Sequence, residues 1–277
     1  MNPIVRRVLT GNKLSRRLYF AVHNAYASRQ MRSGARRAFK NADVLETVLA
    51  MPAAKGLVTL RTVDDLSITI RQNPSDASTI AEIFVSDCYL HKHLHLPTNP
   101  VILDVGGFVG DFALYAVKKL NAKRVIVCEP SPRNWELLLK NIADNGFQDR
   151  IEPVHKAVTD GRDVMMNINA PDDEQCMVSS YRSNGQPLTA VKGISIAELL
   201  RDHAVETVDL LKIDCEGGEF AILESTPSDV FCRIRNIVFE YHQIDGALAK
   251  LKAAKQQLRR EGYALHMHRG LVFAWRS

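Results

Sequence analysis

Long apolar stretches are missing from this chain: no uncharged hydrophobic run approaches the roughly 18 residues needed to cross a bilayer, which argues against an integral membrane protein. Cysteine is sparse and scattered. The five residues Cys88, Cys128, Cys176, Cys215 and Cys232 form no CxxC pair, so they fit a reducing compartment and neither a disulfide scaffold nor a structural zinc site. With only 15 glycines and 11 prolines in 277 residues, and 46% hydrophobic residues, the chain is not collagen-like, coiled or largely disordered. Acidic side chains are absent from the first 42 residues; the first is Asp43.

What stands in that acid-free segment is basic. Ten of the 36 Lys+Arg lie there (Arg6, Arg7, Lys13, Arg16, Arg17, Arg29, Arg32, Arg36, Arg37 and Lys40), and the remaining 26 face all 31 Asp+Glu further on. The positive charge is local, so the composition does not make the whole chain a nucleic-acid binder. Ile4, Val8, Leu14, Leu18 and Val22 give the arm an apolar stripe at helical spacing. Three readings remain open for it: a solvated helix packed on the main domain, a dock for an anionic membrane or glycan surface, or an organellar transit peptide.

Three segments are expected: a basic helical arm over 1–42, a hairpin-and-helix extension over 43–99, and a catalytic or binding domain over 100–277. In the extension, Leu57 to Arg71 alternates as two strands around Asp64-Asp65. Asn73-Pro74 then caps a helix that continues towards Tyr89. After Pro100, short apolar runs alternate with helical segments, the pattern of a mostly parallel sheet covered by helices. Strands are expected at Val101–Val105, Arg124–Glu129, Ile151–His155, Val208–Asp214 and Ile237–Tyr241, with a closing hairpin around Arg269-Gly270. The weakly alternating stretch Val164–Val191, which holds Asn184-Gly185, is expected to add strands on a sheet edge.

The most informative segment is Val101-Ile-Leu-Asp-Val-Gly-Gly-Phe-Val-Gly110, an apolar strand ending in an acid and running through glycines into a helix. Glycines at such a turn let backbone approach a ligand, and the helix start presents unpaired N–H groups. A dinucleotide fingerprint starting at Gly106 would need glycine where Phe108 and Asp111 stand, so that motif fails. Glu129 closes the next strand, where an acid can accept both ribose hydroxyls of an adenosine-containing ligand. Asp104 suits an ammonium or sulfonium and would repel a phosphate. That sign favours S-adenosylmethionine over a nicotinamide dinucleotide.

Three stretches together carry a family resemblance: Asp104-Val-Gly-Gly-Phe-Val-Gly110, Glu129-Pro-Ser-Pro, and Asp209-Leu-Leu-Lys-Ile-Asp-Cys-Glu-Gly-Gly-Glu219. The chain resembles the FkbM family of S-adenosylmethionine-dependent methyltransferases. The likeness extends to Asn134 through Asn141, to Val238-Phe-Glu-Tyr-His242, and upstream to Ser75-Asp76 and Phe84 through Tyr89. It implies an α/β, Rossmann-like class I methyltransferase fold, with a C-terminal hairpin and an N-terminal helical and hairpin extension. It also implies methylation of hydroxyls on sugars or natural products. Gly107 departs from the family, which often has Ala or another small residue there.

The cofactor-binding set expected from these motifs is Asp104, Gly106, Gly107, Gly110, Glu129 and Glu216. Asp214 and Glu216 follow the fourth strand of the parallel set, at the carboxyl edge where such sheets bind ligands. Two carboxylates there can orient the donor, act as a general base or join a magnesium site. Glu219 is better read as a cap of the next helix. His242 ends the following strand beside Glu240; an imidazole is suited to taking a hydroxyl proton, and equally common as a hydrogen-bonded surface residue. His242 and Asp214 are the catalytic candidates. His91, His93 and His95 alternate as metal ligands would, but run into Pro97-Thr98-Asn99-Pro100 and are expected to be a loop.

The expectation is therefore an S-adenosylmethionine-dependent O-methyltransferase acting on a carbohydrate or glycosylated natural product, cytoplasmic or peripheral to a membrane. The alternatives are a non-catalytic protein of the same fold docking through its basic arm, and a nucleic-acid methyltransferase. The last lacks an aromatic-studded basic motif, and no nucleic acid is expected as a partner.

Overall fold

The computed structural model describes residues 32–166, 189–215, 217–241 and 247–276. A helical segment at 32–38 and helix α1 (Ala42–Ala50) lead into a hairpin of β1 (Leu57–Arg61) and β2 (Ser67–Arg71), then helix α2 (Pro74–Phe84). Strands and helices alternate from there: β3 (Val101–Val105), α3 (Asp111–Lys119), β4 (Arg124–Cys128), α4 (Pro132–Asp144) and β5 (Ile151–Val154). Four short strands follow, β6 (Ala157–Val158), β7 (Val164–Met166), β8 (Thr189–Val191) and β9 (Gly193–Ile194). The chain closes with α5 (Ile196–Asp202), β10 (Leu210–Ile213), α6 (Glu219–Ser225), α7 (Ser228–Phe231), β11 (Asn236–Glu240), α8 (Ala247–Arg260) and a hairpin of β12 (Ala264–His268) and β13 (Leu271–Trp275).

Seven strands form the central sheet in the order β12-β13-β11-β10-β3-β4-β5. β11, β10, β3, β4 and β5 are parallel, and β13 runs antiparallel to both β11 and β12. A sheet covered on both faces buries successive residues on opposite sides, which is why β3, β4 and β10 read as near-continuous apolar runs. On one face, Ile102, Val125, Val127, Leu210, Val238 and Phe273 pack with α3, α4 and the extension. On the other, Leu103, Ile126, Leu211, Ile237 and Val272 pack with α5 to α8. The fold is α/β and Rossmann-like, with the C-terminal hairpin and the N-terminal extension that the sequence implies.

Strand β3 lies between β4 and β10, so the crossovers leave it in opposite directions. This is the switch point at whose carboxyl edge open α/β sheets place their ligands. The register sets Lys212 of β10 directly beside Asp104 of β3. Both side chains thereby project from the same face of the sheet.

The extension and the described end of the basic arm are built into the same core: Ala35 and Phe39 of the arm, with Leu45, Leu60, Ile68 and Ile80 of the extension, share one buried cluster with Phe112, Val127 and Phe273. Two asparagines one turn apart, Asn141 in α4 and Asn145 at its C-cap, fasten the extension. Asn141 Oδ1 accepts from Thr69 N–H at 2.7 Å while its Nδ2 donates to the Thr69 carbonyl at 3.0 Å and the Val109 carbonyl at 2.8 Å. Asn145 repeats the pairing two residues along β2, with Ser67 N–H at 2.9 Å and the Ser67 carbonyl at 2.8 Å. The side-chain amides act as a neighbouring strand would.

Two expectations change. The described residues of Val164–Val191 do not extend an edge of the main sheet: β7 pairs with β8 in a separate two-stranded sheet, and Asn184-Gly185 lies outside the described residues. Pro153 in the edge strand β5 offers no N–H, which blunts that edge against further pairing. The helix expected to run towards Tyr89 ends at Phe84, and Asp87 with φ of 48° turns the chain out of helical geometry. The strap that follows crosses the sheet face as irregular chain.

Candidate active site

The glycine turn joins β3 to α3 through positive φ at Gly106 (82°), Phe108 (46°) and Gly110 (85°). At Gly106 the lack of a side chain has a reason within the protein. A Cβ there would lie 1.7 Å from the Asp214 carbonyl oxygen, so β3 and β10 can approach only over glycine. At Gly107 a Cβ would meet Val127 at 2.2 Å. The N–H groups of Gly106 and Gly107 both donate to the Cys128 carbonyl, at 3.1 and 2.9 Å, which ties the turn to the end of β4.

Glu129, just past β4, is buried and faces this turn. Its Oε2 accepts from Phe108 N–H at 2.8 Å, and its Oε1 from Ser131 N–H at 2.8 Å and Asn134 Nδ2 at 3.2 Å. Burial pushes its carboxyl up to about 7, against the pull of those three donors. A carboxylate has about four acceptor positions, so the protein leaves it capacity for a ligand hydroxyl.

Asp104 is fully buried, and its Oδ1 makes a 3.0 Å ion pair with Lys212 Nζ. The same ammonium donates to the Gly106 carbonyl at 2.7 Å and stands 5.2 Å from the Tyr89 ring centre. Burial raises Asp104, and the Lys212 charge opposes it. Burial also works against the charge on Lys212, but Asp104, Asp214 and Asp111 together hold its pKa above the ordinary lysine value. Asp111, the first residue of α3, is buried as well; desolvation pushes it up to about 7 despite Lys212. Its Oδ1 accepts from Phe112 N–H at 2.9 Å, and its Oδ2 has no hydrogen-bond partner among the described residues.

Asp214 follows β10 directly, its N–H held by the Val105 carbonyl at 2.9 Å. Its Oδ2 accepts from the Tyr89 hydroxyl at 2.5 Å. Glu219 accepts N–H bonds from Cys215 at 3.3 Å and Gly217 at 3.0 Å, tying the turn before α6. The structure therefore gathers Asp104, Gly106, Gly107, Gly110, Glu129 and Asp214 around one carboxyl edge. Glu216 and His242 lie outside the described residues, as do residues 1–31 of the arm.

His91, His93 and His95 are in a loop, as expected. His91 stacks on His266 at 4.4 Å and His93 on Trp275 at 4.6 Å, against the C-terminal hairpin. Among the described residues no group of three or more His, Cys, Asp or Glu is arranged to hold a metal ion. The magnesium alternative at Asp214 and Glu216 turns on Glu216.

Sequence reasoning gave no role to Lys212, Asp111 or Tyr89. For Lys212 a signal was present: a lone charge in the apolar run Leu210-Leu-Lys-Ile213 demands a buried counter-charge, and Asp104 is its counterpart in Val101–Val105.

The strand order and its switch point define a Rossmann-like α/β protein. Residues 104–265 match the family model described as Methyltransferase FkbM domain. The chain belongs to that family and is a methyltransferase. It is 25% identical over 224 residues to the 31-O-demethyl-FK506 methyltransferase FkbM of Streptomyces tacrolimicus, covering 70% of this chain and 84% of that protein. It is 23% identical over 201 residues to Methyltransferase sdnD of Sordaria araneosa, covering 62% and 77% respectively. Among solved structures, Methyltransferase FkbM from Methylobacillus flagellatus aligns with a TM-score of 0.46 at 15% identity, over 85% of this chain and 59% of that one.

Proposed function

We propose that this chain transfers the methyl group of S-adenosylmethionine to a hydroxyl oxygen of a small-molecule acceptor, a carbohydrate or a glycosylated natural product. One observation carries the choice of donor: at the switch point Asp104 pairs with the Lys212 ammonium at 3.0 Å, and two further acids, Asp111 and Asp214, lie within electrostatic reach of the same ammonium. Such a site favours a ligand bringing positive charge and disfavours a phosphate. S-adenosylmethionine brings two cationic centres, an ammonium and a sulfonium, and an adenosine whose ribose suits Glu129. The name of the Streptomyces relative, a methyltransferase for 31-O-demethyl-FK506, is in keeping with an oxygen acceptor.

When bound, the donor supplies a methyl carbon made electrophilic by its positive sulfur and departs as a neutral thioether. The protein's own part is alignment and charge. Glu129 would hold the ribose end, the glycine turn would let backbone approach the donor, and the carboxylates would balance its charge until transfer. Asp214 or His242 would accept the hydroxyl proton as the new C–O bond forms. We assign the cofactor-binding role to Asp104, Gly106, Gly107, Gly110, Glu129 and Glu216. The segments 1–42, 43–99 and 100–277 would serve as docking arm, cover and catalytic unit.

The test is calorimetric titration with S-adenosylmethionine and S-adenosylhomocysteine, with Glu129→Ala alongside. Saturable binding by the wild type, weakened about tenfold or more by the substitution, is expected, since hydrogen bonds to a charged group contribute about 1.5–3 kcal/mol. Absence of binding by folded protein would overturn the reading.

A further inference from the structure

Tyr89 lies in the strap between α2 and β3, in a region that the family model does not span. It is nevertheless buried against the switch point. Its ring packs edge-on to Phe112 at 5.3 Å, and Lys212 Nζ lies over it at 5.2 Å. Its hydroxyl reaches Asp214 Oδ2 at 2.5 Å, across 125 residues of sequence. The strap is itself pinned. Tyr115 of α3 donates to Asp87 at 2.6 Å, and the backbone N–H of Leu90 donates to the Asp87 carbonyl at 2.9 Å. Tyr115 and Tyr89 thus reach in opposite directions, one from α3 to the strap and the other from the strap to the sheet.

We propose that Tyr89 is a positioning residue: by holding one oxygen of Asp214, it fixes that carboxylate's charge towards the sulfonium of the methyl donor. The inference rests on the donor reading above. Three features support it. A buried phenol packed edge-on to Phe112 with its hydroxyl on one oxygen of a carboxylate restricts the rotation of that carboxylate. The Tyr89 hydroxyl remains a donor, since burial and the neighbouring Asp214 charge hold its pKa well above the ordinary tyrosine value. Asp214 is joined to the glycine turn through the Val105 carbonyl, so a carboxylate fixed there is fixed relative to the donor's cradle. The extension thereby contributes to the site as well as covering the sheet.

The experiment compares two ligands that differ in sulfur charge. S-adenosylmethionine is a sulfonium and S-adenosylhomocysteine a neutral thioether, so the ratio of their dissociation constants reads the sulfur-directed charge, whereas a loosened fold weakens both. Tyr89→Phe keeps the ring and removes the hydroxyl. The expected result is a loss of about tenfold in preference for the sulfonium, the scale of one hydrogen bond to a charged group. Asp214→Asn should show a loss at least as large, and Tyr89→Phe should add nothing in its background. Equal weakening of both ligands by Tyr89→Phe, or an unchanged ratio, overturns the proposal. So does an unchanged ratio in Asp214→Asn, which decides the matter even if Tyr89→Phe does not fold. Failure of the folded wild type to bind either ligand is a different result, and overturns the donor reading itself.

Discussion

A buried ammonium needs negative charge or carbonyl oxygen on the sides that face it, and Lys212 has both in Asp104 and the Gly106 carbonyl. Removing one member of such a pair leaves the other uncompensated in a low-dielectric interior. Lys212→Met is therefore expected to destabilise the protein by about 3–5 kcal/mol in urea titration, with much of the loss recovered when Asp104→Leu is added. A neutral effect of the single substitution would mean that Asp104 is not relying on that charge. Half of this pair was legible: Asp104 drew notice from its motif and was turned towards a ligand, whereas its partner arrives from a strand more than a hundred residues away. One chain read alone carries no record of which strands are neighbours, so a lone lysine in an apolar run announces a need without naming what meets it. Tyr89 was harder still, because the strap around it has neither a period of two nor one of 3.6.

Strands with a sustained apolar pattern were read nearly to the residue, as with β3, β4, β5 and β11. Those missed or misplaced lack such a pattern: β6 to β9 are two or three residues each, and their partners are chosen by tertiary contact. The α4 asparagines show a third case, in which a helix is easily read and its most important contacts are not. Asparagine is a weak helix former, and its presence inside α4 at 141 makes sense only against β2. Asn141→Ala would strand a buried Thr69 N–H and the Thr69 and Val109 carbonyls. The expected cost is about 2–3 kcal/mol by denaturant titration, and about 1 kcal/mol for Asn145→Ala, whose site is half-buried. Similar costs for the two would argue that the pairing does not depend on burial.

Across the whole molecule, buried acids near the glycine turn make stability depend on pH in an unusual direction. Asp111 and Glu129 each titrate near 7 when folded, against 3.8 and 4.5 for their ordinary values. Between those limits the native state holds more protons than the unfolded chain, so the unfolding free energy falls as pH rises from about 4 to about 7. Ion-paired Glu152 is shifted the other way, and its contribution is lost only below its ordinary range. Urea titrations between pH 5 and 7.5 should therefore show declining stability, with a shallower slope in Asp111→Asn and Glu129→Gln. A slope of opposite sign, or one untouched by both substitutions, would remove these two groups from the account.

The Lys212 ammonium meets the Gly106 carbonyl across a sequence separation of 106 residues. A chain emerging from the ribosome completes its hairpin, its first three parallel strands and the glycine turn well before β10 is made. Throughout that interval Asp104 has no ammonium beside it and the turn has nothing to close against. Synthesis order thus makes the Asp104–Lys212 pair at the switch point a late product of assembly, and a chain cut short before β10 would hold most of the recognisable motif without that pair.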